Sequence, residues 1–315
     1  MDINWVNKQK STARSVAIGT FDGVHLGHRQ LLKNAVALKP KGGTSAALTF
    51  DVPPQQYFRG EKRLLISFQQ KMALIRRCGI DEIAWLRFDH KLSSLAAEDF
   101  VAGILLQELR TEHVICGLDF RFGKKRAGNP QLLKKMGERL GFQVTIVDPV
   151  KSNGQEMISS TAIRQLISRG EIEKAAALLG YYPCYLGKVV HGAGRGRRLG
   201  FPTANLEIGP GILLPKEGVY LTIGILPGGE SSPAVTSIGK NPTFRGKVQT
   251  IETFLLDFTG DLYGQKMELQ FLKRLRAIES FPTAAKLQKQ IEADVSLART
   301  LLTEFHLQGS KVVLR

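Results

Sequence analysis

Ser15-Val16-Ala17-Ile18-Gly19-Thr20-Phe21-Asp22-Gly23-Val24-His25-Leu26-Gly27-His28 is the stretch on which the reading of this 315-residue chain turns. An apolar run is followed by a glycine-rich loop. Beyond it Leu31, Leu32, Ala35 and Val36 recur at helical spacing, so the order is strand, loop, helix. In α/β sheets that junction binds phosphates. Gly19, Gly23 and Gly27 let backbone approach a ligand closely, and a helix start offers amide donors and a positive dipole end to an anion. His25 and His28 lie three residues apart at that start, so both imidazoles can donate to one polyphosphate. A plain turn with two solvated histidines is the alternative.

Outward from this loop, the first 180 or so residues alternate strands with helices. Strands are predicted at 15–20, 44–50, 81–88, 113–118 and 143–148, and helices at 28–38, 67–78, 96–109 and 130–140. Such alternation predicts a doubly wound parallel sheet, whose ligands bind beyond the carboxyl ends of the strands. Three further loops leave such ends. In Asp51-Val52-Pro53-Pro54-Gln55-Gln56-Tyr57-Phe58 two prolines predict extended backbone; the aromatic pair either lies against a planar ligand or belongs to a plain rigid loop. In Gly117-Leu118-Asp119-Phe120-Arg121-Phe122-Gly123, the two phenylalanines point the same way if extended; they either grip a flat ring or belong to the core. Ser159-Ser160-Thr161-Ala162-Ile163-Arg164 supplies hydroxyls, free amides and a guanidinium at a helix start, serving equally as a cap or a phosphate site.

Tyr181-Tyr182-Pro183 breaks the pattern and sets a domain boundary near residue 183. Past it the period falls to two, as in Val219, Leu221, Ile223 and Ile225, which predicts a small antiparallel β-barrel. A helix over 283–306 closes the chain, its apolar positions including Val295, Leu297, Leu301 and Leu302. Between Gly187 and Asn205 the barrel half holds a glycine- and arginine-rich loop, with Gly194, Arg195, Arg198 and Gly200 forming a cationic cover for a nucleotide tail. Thr203 and Asn205, two apart, present oxygen ligands suited to Mg²⁺ between phosphates.

These motifs resemble those of bacterial bifunctional riboflavin kinase/FAD synthetases. The match runs through Gly19-Thr20-Phe21-Asp22-Gly23-Val24-His25-Leu26-Gly27-His28, the Asp119-Phe120-Arg121-Phe122 segment, Ser160-Thr161-Ala162-Ile163-Arg164 and Gly200-Phe201-Pro202-Thr203-Ala204-Asn205. It continues through Gly239-Lys240-Asn241-Pro242-Thr243-Phe244 and the segment from Glu252 to Gly264. The resemblance implies an FMN adenylyltransferase domain at 1–183 and a riboflavin kinase domain at 184–315. It implies that His25, His28, Ser160, Thr161 and Arg164 handle ATP phosphates, that Asp119, Phe120 and Phe122 sit beside the flavin, and that Glu252 takes the proton from the ribityl hydroxyl. ATP, riboflavin and FMN are then substrates, with Mg²⁺ at Thr203 and Asn205. The sequence departs from the family in two places. Val52-Pro53-Pro54 lacks the histidine usual between the prolines, and Phe254 stands where a histidine is usual.

Bulk properties agree. The formal charge of +16 suits polyanionic substrates, whereas the scattered basic residues and the lack of nucleic-acid-binding motifs argue against DNA or RNA. Neither a membrane span nor a signal peptide is predicted, which points to the cytoplasm. Cys78, Cys116 and Cys184 read as reduced packing residues. A chain with only its kinase half active, or a flavin- or RNA-binding regulator, is the competing reading.

Overall fold

The computed structural model describes residues 3–9, 12–59, 63–152, 157–192, 194–240 and 249–314. Two compact units divide the chain, Met1–Ser160 and Thr161–Arg315.

The first unit is built on β1 (Asn4–Val6), β2 (Arg14–Ile18), β3 (Thr44–Phe50), β4 (Glu82–Leu86), β5 (Thr111–Gly117) and β6 (Gln143–Val147), in sheet order β1-β4-β3-β2-β5-β6. All pairings are parallel except β1 with β4. All residues of β2 and β3 are buried, as expected for central parallel strands covered on both faces. Strands β2, β3 and β4 run outward to one side and β5 and β6 to the other. The topological switch therefore falls between β2 and β5, where the loops carrying His25 and Asp119 begin.

Its helices are α1 (Leu26–Ala37), α2 (Pro54–Arg59), α3 (Phe68–Arg77), the short α4 (His90–Ser93) and α5 (Ala97–Asp99), a π-helix at Phe100–Glu108, and α6 (Pro130–Leu140). Ser67 and Gln70 close a capping box on α3, and Asn129 with Pro130 starts α6, which Gly141 ends in left-handed conformation. Two details differ from expectation. Pro54 opens helix α2 instead of extending the backbone, since proline suits a first helical turn. The helix expected at 96–109 is mostly π-helical, its end marked by the Leu109 amide reaching back to the Ile104 carbonyl.

In the second unit, β7 (Cys184–Val190), β8 (Ala204–Ile208), β9 (Gly218–Ile225), β10 (Ser231–Lys240), β11 (Gln249–Leu255) and β12 (Lys266–Arg276) form a closed antiparallel barrel in the order β10-β11-β8-β7-β12-β9. Helices α7 (Ser160–Arg169), α8 (Ile172–Leu179), α9 (Arg195–Arg198) and α10 (Ala284–Leu302), with the hairpin β13 (His306–Gln308) and β14 (Lys311–Val313), complete the chain. Fully buried Ile172 and Ala176 of α8 belong to the barrel core. For that reason the compact division falls ahead of residue 183, and α7 and α8 are counted with the barrel unit. Strand β9 is buried at every position instead of on one face. In α10 the inward positions are Asp294, Val295, Ala298, Leu301 and Leu302, while Leu297 faces solvent. Asp294 is tied there by a bidentate pair with Arg276, at 2.9 and 2.7 Å.

Candidate active site

The loop after β2 turns through Phe21 (φ 49°), Gly23 (φ 85°) and Val24 (φ 37°) before helix α1. Its side chains pack inward: Phe21 and Val24 are fully buried, and Asp22 and His25 nearly so. Asp22 accepts the Leu65 amide at 3.0 Å. His25 is the N-cap of α1, its Nδ1 accepting the His28 amide at 3.3 Å. A ring nitrogen that accepts carries no proton, so in the neutral ring the proton sits on Nε2. The two imidazoles stack with centroids 3.6 Å apart, and Phe21 meets His28 edge-on at 5.4 Å. His28 is half-buried, and the pair is thus an ordered element instead of two loose histidines. Gly27 lies close against this stack: a Cβ there would sit 3.3 Å from the His25 ring and require it to shift by a few tenths of an ångström.

Ser160, the first residue of α7, donates its hydroxyl to the Asp22 carbonyl at 2.9 Å, binding that helix start to the loop. Thr161 and Arg164 follow in the first turns of the same helix. After β5, Phe120 and Phe122 stack at 5.4 Å, but they are not equivalent. Phe122 is buried against Phe100, whereas Phe120 is half-buried and Asp119 exposed, so Phe120 is the ring with surface to offer. On the far side, Tyr57, Phe58 and Phe88 meet edge-on at 5.3–5.8 Å, with Phe58 67 % exposed.

In the barrel, Asn205 of β8 lies directly opposite Glu252 of β11. Flanking Leu206 and Ile251 point into the core, so Asn205 and Glu252 share the outer face, and Thr203, two residues earlier, extends it. The glycine-rich loop presses on this face. A Cβ on Gly192 would meet the Asn205 amide at 2.1 Å, and Phe201 packs edge-on against Phe254 at 5.3 Å. His191 stacks on Tyr263 at 3.9 Å, clipping the loop to the β11–β12 connection. Gly194 is left-handed before α9, and Arg198 and Gly200 are exposed. The side chain of Arg195 and residues Asn241, Pro242, Thr243 and Phe244 lie outside the described residues.

Comparison with known proteins accords with both halves. Residues 7–162 match the FAD synthetase family and residues 179–302 the riboflavin kinase family. The chain is 37 % identical to the bifunctional riboflavin kinase/FMN adenylyltransferase of Listeria monocytogenes, over 89 % of each chain. It is 35 % identical to that of Escherichia coli K12, covering 90 % of this chain and 91 % of the relative. A crystal structure titled macrolide-efflux protein from Streptococcus pneumoniae superposes with TM-score 0.83 at 30 % identity, over 93 % of this chain and 97 % of the other. Among the described residues here, no helix is long and apolar enough to cross a membrane. The chain therefore joins two flavin-nucleotide transferase domains, and it belongs to the bifunctional riboflavin kinase/FMN adenylyltransferase family.

Sequence reasoning missed the His191–Tyr263 and Phe201–Phe254 contacts, which depend on loop closure, and it passed over Lys71. That lysine lies on α3 and gives no signal in the helical pattern beyond one more charge.

Proposed function

We propose that the barrel transfers the γ-phosphoryl group of ATP to the 5′-hydroxyl of riboflavin, giving FMN and ADP. The α/β half transfers the adenylyl group of a second ATP to FMN, giving FAD and pyrophosphate. The observation that carries this reading is the meeting of motifs remote in sequence: Asn205 faces Glu252 across the barrel, and the His25 loop shares the switch point of the sheet with the Asp119 loop.

In the kinase step the Glu252 carboxylate accepts the ribityl hydroxyl proton as that oxygen attacks the γ-phosphorus and the bridging bond to ADP breaks. Thr203 and Asn205 supply hard oxygen donors beside a carboxylate, a set that fits Mg²⁺ shared with phosphates. When bound there, the ion would neutralise phosphate charge. Arg198, which is exposed, and the glycines at 194 and 200 cover the nucleotide tail, the role expected of Arg195 as well.

In the adenylyl step an FMN phosphate oxygen attacks the α-phosphorus, and pyrophosphate departs with the bridging oxygen. The nucleophile is already anionic, so no base is needed. His25 through Nε2, His28, Thr161 and Arg164 hold the triphosphate and offset charge on the leaving group, while Gly19, Phe21, Asp22, Gly23, Gly27 and Ser160 shape the loop. Phe120 receives the flavin ring, backed by Phe122. Phosphorylated substrates of this kind fit an enzyme of the cytoplasm.

Purified protein given riboflavin, ATP and Mg²⁺ is expected to yield FMN and then FAD on chromatography; no flavin product would reject the proposal. His28→Ala should lower FAD formation on the order of 10²-fold or more while FMN still forms. Glu252→Ala should lower FMN formation by about 10²–10⁴-fold and leave FAD synthesis from supplied FMN intact. Supplying FMN also separates a chain with one working half from one with two.

A further inference from the structure

Beneath the histidine loop lies a buried cation that the proposed chemistry does not use. Lys71 is 5 % exposed on helix α3, and its ammonium donates to the Phe50 carbonyl at 2.5 Å and to the Thr20 carbonyl at 3.4 Å. Phe50 ends β3 and Thr20 is the second residue beyond β2, so one side chain joins the carboxyl ends of two adjacent central strands. Asp22 and Asp51 attract it electrostatically, and it rests 5.2 Å over the Phe68 ring. Asp51 in turn accepts the Phe88 amide at 2.9 Å, extending the tie beyond β4.

Burying an ammonium is costly, and here burial pushes its pKa down to about 8 despite the two carboxylates. The Thr20 carbonyl already receives the Thr49 hydroxyl at 3.2 Å, so a second donor is not needed merely to satisfy it. What the cation adds is restraint on a loop that needs it. Immediately after Thr20 come Phe21 and Val24, non-glycine residues in left-handed backbone, a conformation that persists only where the surroundings over-determine it. Phe21 touches His28, and His28 stacks on His25. Displacement of Thr20 is thereby passed within a few residues to both imidazoles.

We infer that Lys71 is a positioning residue for adenylyl transfer, holding the loop between Thr20 and His28 in the geometry that presents its imidazoles to the triphosphate. This rests on the reading of that loop as the nucleotide cradle.

The test is Lys71→Met and Lys71→Arg in the full-length protein, beside His28→Ala, with FMN and ATP as substrates. For Lys71→Met the expected kcat of FAD formation is about a hundredfold lower, with KM for each substrate within about threefold. Amide protection of β2, β3 and β5 in hydrogen exchange and the riboflavin kinase rate should match wild type. Lys71→Arg, which keeps a cation, should stay within about tenfold of wild type. A Lys71→Met kcat within about threefold of wild type overturns the inference, as does a loss of activity accompanied by loss of sheet-amide protection. If His28→Ala also forms FAD normally, the cradle reading fails and takes this role with it; if only His28→Ala is impaired, Lys71 alone is excluded.

Discussion

At the scale of single residues, the site is set by what a neighbour leaves room for. Gly192 sits where a methyl group would overlap the Asn205 amide, 2.1 Å from Nδ2. Gly192→Ala must therefore displace the Asn205 side-chain amide from its present position beside Glu252. FMN formation is expected to fall by about 10²-fold, while FAD synthesis from supplied FMN, assayed in the same sample, is unchanged. Lys71 offers a different test, of stability against pH. Its folded pKa of about 8 lies below its ordinary 10.5, first because burial disfavours the ammonium, with Asp22 and Asp51 opposing in part. Below pH 8 the folded chain bears the whole penalty of holding the charge. From about 8 to 10.5 it sheds the proton before the unfolded chain does, so this group's contribution to stability rises with pH. The gap is worth roughly 3 kcal/mol. Urea unfolding of wild type and Lys71→Met at pH 7.5 and pH 10 should show wild type gaining on the variant at the higher pH; a constant difference would contradict the assignment.

At the scale of elements, the two ends of the sheet's strands differ in what they carry. The loops proposed to hold nucleotide leave the carboxyl ends, and at the opposite end Arg14 of β2 reaches across β3 to Glu82 of β4, both almost fully buried, at 2.7 Å. Burial alone would raise the Glu82 carboxyl's pKa, but hydrogen bonds from Arg14, Thr44 and the Gln9 amide bring it below its ordinary value. Its stabilisation is thus present above the unfolded carboxylate pKa and is lost as pH falls through the folded one. Arg14→Met strands the carboxylate and should cost about 3–5 kcal/mol in denaturant unfolding, with FAD formation per folded molecule unchanged. The longer strands and helices of this unit, β2 to β6 with α1, α3 and α6, were legible because each carries its own period or cap, as with Asn129-Pro130 and Gly141 around α6, whereas the short α2 and α4 were not. Strand β1 was not, since three residues show no alternation and are fixed by pairing with β4. The facing of Asn205 and Glu252 was equally hidden: β9 and β10 intervene in the chain, and only barrel closure brings β8 beside β11. Lys71 was invisible for a related reason, because helical spacing reports which face is apolar but not that a charge on α3 finds two carbonyls under it.

At the scale of the whole chain, the division between the two units falls at the first residue of helix α7. That residue, Ser160, is hydrogen-bonded to the Asp22 carbonyl, and Thr161 and Arg164, proposed above to act in adenylyl transfer, follow it. Yet further along, the Ile167 carbonyl accepts the Lys216 amide at 3.2 Å, and α8, which follows, buries Ile172 and Ala176 in the barrel core. Where the chain is cut should therefore matter differently for stability and for chemistry. A fragment spanning 161–315 keeps the complete barrel core and is expected to melt cooperatively and phosphorylate riboflavin. A fragment spanning 184–315 loses Ile172, whose burial alone contributes about 2 kcal/mol, and its Tm should be lower by at least about 5 °C. Conversely, 1–160 retains the sheet but leaves Thr161 and Arg164 behind, so it should fold without forming FAD. Extending it to 183 should restore some FAD formation at the cost of exposing the apolar face of α8, seen as concentration-dependent aggregation. Thermal melts and product assays on the four fragments decide the matter: equal Tm values for the two barrel fragments would mean that α8 adds nothing to that core, and FAD from 1–160 would remove Thr161 and Arg164 from the adenylyl-transfer step.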